Sequence, residues 1–172
     1  YANIRKSYGV FVWNFLAILC SYFGRMKLEL CAASVDAILL AKNFGFERIE
    51  LCQNLEQGGL TPSAGMIQFA LDQGVETHVL IRPRAGGFCY SPEEIKLMEQ
   101  DLAFCQQLGV QGVVVGMLKS NFDIDTEQLA SLKAAFPNFC WTFHRAFDES
   151  IDWKRSMDQL MKLGFQRILT SG

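Results

Sequence analysis

The chain lacks a strong charge of either sign. Its 172 residues include 16 Lys and Arg against 18 Asp and Glu, for a net charge of −2. The basic residues are scattered, whereas a nucleic-acid-binding protein typically concentrates them on one face. The composition therefore argues against a nucleic-acid partner. Because half of the residues are apolar, a chain of this length is predicted to form one globular domain with a substantial core.

The sequence also lacks the short, cysteine-bounded loops of a small secreted protein. Most of its cysteines fall within predicted strands and a helix, which favours reduced thiols and a cytoplasmic location. The six are Cys20, Cys31, Cys52, Cys89, Cys105 and Cys140.

The first 25 residues do not share the pattern of the rest. Arg5 and Lys6 precede an apolar run from Val10 to Phe23, which has the size of a signal-peptide core but is short for a membrane span. No small-x-small cleavage pattern follows it. The segment is a signal or anchor, an amphipathic extension, or upstream sequence that is not native. We favour the last interpretation and expect no membrane association for residues 26–172.

From Met26 onward, strand-like and helix-like segments alternate. Glycine follows four of the helical segments, where a left-handed residue closes a helix. Thr61 and Ser91 each precede a proline and are predicted to cap the helices that follow, and Ser91 is predicted to form a capping box with Glu94. Alternating strands and helices of these lengths predict βαβ units and a parallel sheet. Strands are predicted at 27–31, 47–51, 77–82, 112–116, 139–144 and 166–171. Helices are predicted at 34–44, 63–73, 92–108, 126–135 and 152–163.

The predicted strands favour a barrel over an open sheet. Strands of a doubly wound sheet are apolar on both faces, whereas these strands carry polar residues at alternate positions. No G-x-G-x-x-G motif follows the first strand, which argues against a dinucleotide site. We therefore predict a TIM (β/α)8-type barrel that is incomplete, with six strands and five helices. Open strand edges would favour aggregation or a homo-oligomer.

Two strands carry nearly the same sequence, 27–31 (KLELC) and 48–52 (RIELC). Each would place a glutamate and a cysteine on one face. Cys31 and Cys52 would then lie on adjacent strands, where two thiolates could bind Cu(I), a metal that soft thiolate ligands select. The alternative is that both are small buried hydrophobic residues.

Charged residues on the same face admit several interpretations. Glu29 and Glu50 need partners if they are buried, and Arg82 and Arg84 are the expected ones. The four could form a structural ion-pair network or include a catalytic acid–base pair. The arginines could instead bind a carboxylate or phosphate of a substrate.

The fifth strand ends in a polar cluster. His144 is followed by Arg145 and Asp148, at the end of a barrel strand where active sites are built. A histidine with these neighbours is typical of an acid–base or ligand cluster.

Several motifs together resemble the CutC copper homeostasis family. They are MKLELC (26–31), RIELC (48–52), GGLTPS (58–63), HVLIRPR (78–84) with GGFCYS (86–91), TFHRAFD (142–148) and RILTSG (167–172). The resemblance implies a TIM barrel, a cytoplasmic location and a role in copper handling. It also implies that Cys31 and Cys52 are the Cu(I) ligands. Residues 1–25 have no counterpart in this pattern.

Two functions therefore remain open. One is copper homeostasis with Cu(I) bound by Cys31 and Cys52. The other is a TIM-barrel enzyme that acts on a small anionic molecule at the barrel mouth. In that case the binding residues would be Arg82, Arg84 and Arg145, and the proton-transferring residues would come from Glu29, Glu50, His144 and Asp148.

Overall fold

The structure, a computed structural model, describes residues 27–171, so the interpretation of residues 1–25 lies outside the part described. Strands and helices alternate along the chain. The strands are β1 (Glu29–Ala32), β2 (Arg48–Leu51), β3 (Glu76–Leu80), β4 (Gly112–Val115), β5 (Cys140–Phe143) and β6 (Arg167–Ile168). The helices are α1 (Val35–Phe44), α2 (Ala64–Asp72), α3 (Pro92–Leu108), α4 (Thr126–Ala135) and α5 (Trp153–Lys162).

The six strands form one parallel sheet in the order of the sequence, and each strand pairs with the next. This is the strand order of a (β/α) barrel, with one helix between each pair of strands. The predicted elements are confirmed to within a few residues. The largest difference is β6, which covers only Arg167–Ile168 instead of residues 166–171.

The apolar core lies between the outer face of the sheet and the helices. From the strands come Ile49, Val79, Val113, Trp141 and Phe143, all fully buried. The helices contribute Ile38, Met98, Leu102, Leu129 and Leu160, which are equally buried. Because strand residues alternate between faces, this outer core leaves the polar positions of the strands on the inner face.

Helix ends follow the signals in the sequence, with one exception. Gly45 and Gly109 are left-handed caps of α1 and α3, and Ser91 forms the predicted capping box with Glu94 at the start of α3. Thr61 was expected to cap α2, and this was wrong because Ser63 does so. Thr61 instead accepts a hydrogen bond through Oγ1 from the backbone N–H of Arg82, at 2.9 Å.

Two short 3₁₀ helices were not predicted. One covers Leu55–Gln57 after β2, and the other covers Arg145–Glu149 after β5. Both lie just after the carboxyl end of a strand. Across residues 27–171 there is no helix with both the length and the apolar character that crossing a membrane requires.

Candidate functional site

Polar side chains line the inner face of the sheet in register. Cys31 of β1 is aligned with Glu50 of β2, Glu50 with His78 of β3, and His78 with Gly112 of β4. Aligned residues of neighbouring strands point to the same side. The sequence prediction that the glutamates and cysteines share one face is therefore confirmed.

Cys31 and Cys52 lie side by side at the carboxyl ends of the first two strands. Their Sγ atoms are 3.8 Å apart. Cys31 is exposed and Cys52 is buried, so an approaching ion or reagent meets the sulfur of Cys31 first. Two sulfurs that each lie about 2.3 Å from one metal ion can be at most about 4.6 Å apart. The pair therefore fits a metal ion bound between the two sulfurs.

The two thiols differ in their readiness to ionise. A hydrogen bond from Cys52 lowers the pKa of Cys31, against the opposing effects of burial and of the Glu50 and Glu29 charges. The same hydrogen bond, together with burial, raises the pKa of Cys52. Thiolates are the metal-binding form of cysteine, so Cys31 is the thiol that ionises first.

Glu50 lies beside this pair, and the pKa of its carboxyl group is raised. Burial, followed by the charge of Glu29, raises its pKa to about 7, and the nearby Arg48 only partly opposes the shift. Near neutral pH this carboxyl group is therefore present in both its protonated and its ionised form. Strongly shifted carboxyl groups in a polar interior are typical of functional sites.

The ion-pair partner of Glu29 is Arg48, so the expected pairing of the glutamates with Arg82 and Arg84 was wrong. The Nε of Arg48 donates to Oε2 of Glu29 at 2.8 Å, and its Nη1 lies 3.6 Å from Oε1 of Glu76. Only 7% of the Arg48 side chain is exposed. Arg48 precedes Glu50 by two residues and therefore shares its face, which is the sequence signal that could have identified it.

His78 continues this charged network toward β6. Its Nε2 lies 3.1 Å from Oε1 of Glu76. The Nη2 of Arg167 lies 3.0 Å from Nδ1 and 3.3 Å from Nε2, so Nδ1 is the nearer nitrogen. Because an arginine can only donate, Nδ1 is the acceptor and Nε2 carries the proton. Burial, followed by the charges of Arg167 and Arg48, lowers the pKa of His78 to about 4. The imidazole is therefore neutral at pH 7, with a partner at each nitrogen.

Arg82 joins two loops above the carboxyl ends of the strands. Its Nη1 donates to the carbonyl oxygens of Gln57 and Gly59, at 2.8 and 2.9 Å, and its Nη2 donates to that of Gly86 at 2.8 Å. The guanidinium group also lies over the ring of Phe88, 5.1 Å from its centre. It makes no ion pair with a carboxylate of residues 27–171.

The other predicted arginines are engaged in local contacts. Arg84 forms an ion pair with Glu94 and donates to the carbonyl oxygens of Gly87 and Cys89, each at 2.8 Å. Arg145 lies 3.3 Å from the carboxylate of Asp148, on the surface. These contacts of Arg84 and Arg145 hold their own loops and do not include Cys31 or Cys52.

His144 lies against the end of β4 and is 5% exposed. Its Nδ1 accepts a hydrogen bond from the backbone N–H of Ala146 at 3.1 Å, while its Nε2 is buried and has no partner among the residues described. Burial, followed by the charge of Arg82, lowers the pKa of His144 to about 3. The ring is therefore neutral at pH 7, with its proton on Nε2.

Two glycines of the β4 segment leave room for the two histidine rings. A Cβ atom on Gly112 would lie 2.3 Å from the His78 ring, and one on Gly116 would lie 2.3 Å from the His144 ring. Neither glycine was singled out from the sequence. A glycine within a strand often marks a close approach, which is the signal that could have found them.

A separate cavity of about 230 Å³ lies between the loops after β3 and β4. Arg84, Phe88, Cys89, Lys119 and Glu149 are among its lining residues, and neither Cys31 nor Cys52 contributes to it. Within residues 27–171, no three or more His, Cys, Asp or Glu side chains form a cluster that could hold a metal ion. A metal bound by Cys31 and Cys52 would therefore have two protein ligands from the part described.

The fold and this inner face define an incomplete TIM-type barrel with a polar interior. Solved structures agree with that class. The chain superimposes on the deoxyribose phosphate aldolase of Aeropyrum pernix with a TM-score of 0.60 at 12% identity, covering 86% of this chain and 62% of that one. At this identity the likeness concerns the fold alone.

The chain belongs to the CutC family, whose model matches residues 26–172. It is 43% identical to a CutC protein of Pasteurella multocida over 148 residues, and 44% identical to one of Bacteroides thetaiotaomicron over 150 residues. These matches cover 86% of this chain and 61% and 60% of the relatives, so the chain spans about three fifths of their length. The structure of CutC from Streptococcus agalactiae superimposes with a TM-score of 0.80 at 40% identity, over 86% of this chain and 73% of that one.

Proposed function

We propose that this chain binds Cu(I) through Cys31 and Cys52 and serves copper homeostasis in the cytoplasm. The observation that carries the proposal is the 3.8 Å separation of the two sulfur atoms, on adjacent strands and with one thiol open to solvent. Soft thiolate ligands favour Cu(I), as they do zinc and iron–sulfur clusters, over hard cations. The S. agalactiae relative carries a copper homeostasis assignment that is itself provisional.

The cytoplasmic part of the proposal is supported by the state of the cysteines. All five in residues 27–171 are free thiols, as expected in a reducing compartment. A copper site of this kind needs the reduced form, because a thiol must lose its proton to bind the metal.

A competition titration with a chromogenic Cu(I) chelator tests the copper site. We expect Cys31→Ser and Cys52→Ser each to weaken binding by more than the roughly 10- to 100-fold effect of a change outside the ligand shell. The matched control is Cys89→Ser, since Cys89 is an exposed thiol on a different loop. Equal affinities for all four proteins would overturn the proposal.

A second candidate is an enzyme that acts on a small anionic molecule at the barrel mouth. The observation that favours it is Glu50, whose pKa of about 7 suits a group that takes up and releases a proton near neutral pH. Metal analysis and mass spectrometry of an intact relative purified from cells would separate the two. Copper in stoichiometric amount supports the first candidate, and a copurified organic anion supports the second.

A further inference from the structure

A buried hydrogen-bond donor on the inner face, the Nε2 of His144, has no acceptor among residues 27–171. Since Nδ1 of His144 accepts from Ala146, the neutral ring must carry its proton on Nε2. That N–H group is buried and has no partner within residues 27–171. A donor in this position has lost its hydrogen bonds to water and gains none in return unless an acceptor reaches it.

A buried positive charge lies next to this donor. Arg82 is 6% exposed, and its Nε also has no hydrogen-bond partner in the described part of the chain. Its contacts are backbone carbonyls, the ring of Phe88 and the side chain of Tyr90. The same Phe88 ring lies 4.8 Å from that of His144, so both side chains pack around one aromatic residue.

Both side chains would be stabilised by the same kind of ligand, an anion with hydrogen-bond acceptors. A buried cation without a carboxylate is stabilised by an anion, and an unused N–H donor requires an acceptor. A carboxylate or phosphate group supplies both through its oxygens. Neutral imidazole is suited to this task because it can donate without adding a second charge.

We propose that Arg82 and His144 form a binding site for the carboxylate or phosphate group of a small molecule. The Nε2–H of His144 is its neutral donor, and Arg82 supplies the positive charge. His144 thus acts as a fixed donor that orients the ligand. This role differs from the acid–base role predicted from the sequence. The site does not include the two thiols, and it rests on the second candidate function for the nature of its ligand.

The chain offers an internal control, because it contains only two histidines. Nitrogen-15 NMR of the protein labelled at histidine therefore reports His78 and His144 alone. Titration with inorganic phosphate is expected to shift the Nε2–H of His144 in a saturable way, while the signals of His78 stay in place. Acetate in a parallel titration distinguishes a preference for carboxylate from one for phosphate.

Single substitutions test whether phosphate binds at His144. We expect His144→Phe to weaken phosphate binding by about tenfold or more, as measured by calorimetry, because it removes a hydrogen bond to a charged group. Gly116→Ala should do the same, since its methyl group would displace the His144 ring. The matched control is Gly112→Ala, which displaces His78 instead and should leave binding unchanged. Thermal melts identify any variant that fails to fold.

Several results would overturn this inference. One is a shift that sodium chloride reproduces at the same ionic strength, which would indicate an adventitious ion only. Another is a cross-peak from Nε2–H to water that phosphate does not alter, which would indicate a bound water only. Saturable phosphate binding at His144, with no organic anion copurified with an intact relative, would keep the site and count against the second candidate function. A copurified anion without the His144 shift would overturn the site alone.

Discussion

The two buried histidines of this chain occupy matching positions and have opposite surroundings. His78 and His144 each lie over a glycine of the β4 segment, and each is a neutral imidazole with its proton on Nε2. His78 has a partner at both nitrogens, Glu76 and Arg167. His144 has a partner at Nδ1 only. The amino end of the inner face is thus a completed polar network, and the carboxyl end is not.

This difference separates a structural role from a binding role. A completed network stabilises one arrangement of the core, and its members gain nothing from a ligand. A buried donor with no acceptor gains stability when a ligand arrives. The same residue type in the same kind of strand position therefore has two functions, decided by its neighbours.

The largest expected effect tests the completed network. Arg48→Ala should lower the free energy of unfolding by about 3 kcal/mol or more, because it leaves Glu29 and Glu76 without the buried guanidinium that pairs with them. Denaturant unfolding measures this loss. The control is Lys27→Ala, since Lys27 is 55% exposed in its contact with Glu76 and should contribute about 0.5 kcal/mol or less. Equal losses would show that the network is not a stabilising unit.

The second prediction compares the histidines directly. His78→Phe should lower the free energy of unfolding by about 2 kcal/mol, because it leaves two buried polar partners unpaired. His144→Phe should change it by about zero, because the cost of the unpaired Ala146 N–H offsets the removal of an unused donor. Denaturant midpoints of the two variants give the difference. A larger loss of unfolding free energy for His144→Phe than for His78→Phe would contradict the assignment of a structural role to His78 and a binding role to His144.

The third prediction concerns acid. In the folded chain the pKa values of His78 and His144 are lowered to about 4 and about 3, whereas an unfolded histidine titrates near 6.5. As the pH falls below about 6.5, both histidines become protonated in the unfolded state. In the folded state they stay neutral until the pH approaches their lowered pKa values. Stability should therefore fall with a slope approaching about 1.4 kcal/mol per pH unit for each histidine. Melts between pH 7 and 5 should show a smaller decline in His78→Phe than in the unsubstituted chain.

The smallest expected effect has the opposite sign and belongs to Glu50. Its folded pKa of about 7 lies above the unfolded value, so the folded state holds the proton that the unfolded state releases as the pH rises above about 4.5. Glu50 thus lowers stability as the pH rises toward 7. Relative to the unsubstituted chain, Glu50→Gln should gain about 1 kcal/mol more at pH 5.5 than at pH 4.5. A gain that is the same at both pH values would contradict the raised pKa.

Much of the fold could be predicted from the sequence because its signals are local. The glycine after α1 and α3, the capping box at Ser91 and the alternation of polar residues all act within a few residues of where they stand. Thr61 shows the limit of such signals. Its hydroxyl group resembles a helix cap in the sequence, but its partner is the backbone of Arg82, which lies 21 residues away.

The candidate site could be predicted only in part. The alternation of side chains placed Cys31, Glu50 and Cys52 on one face, since strand geometry decides this without knowledge of the partner. The partners of Arg82 could not be inferred in this way. Its guanidinium group bonds to backbone carbonyls of two loops, and the sequence gives no direct sign of where a carbonyl group points.

The position of Arg82 has a consequence for redesign of this barrel. One side chain holds the loop after β2, through Gln57 and Gly59, and the loop after β3, through Gly86. If either loop were exchanged for that of another barrel, the guanidinium group would lose some of its hydrogen bonds to backbone carbonyls. A graft that aims at a new specificity must therefore transfer both loops, together with the arginine, as a single unit.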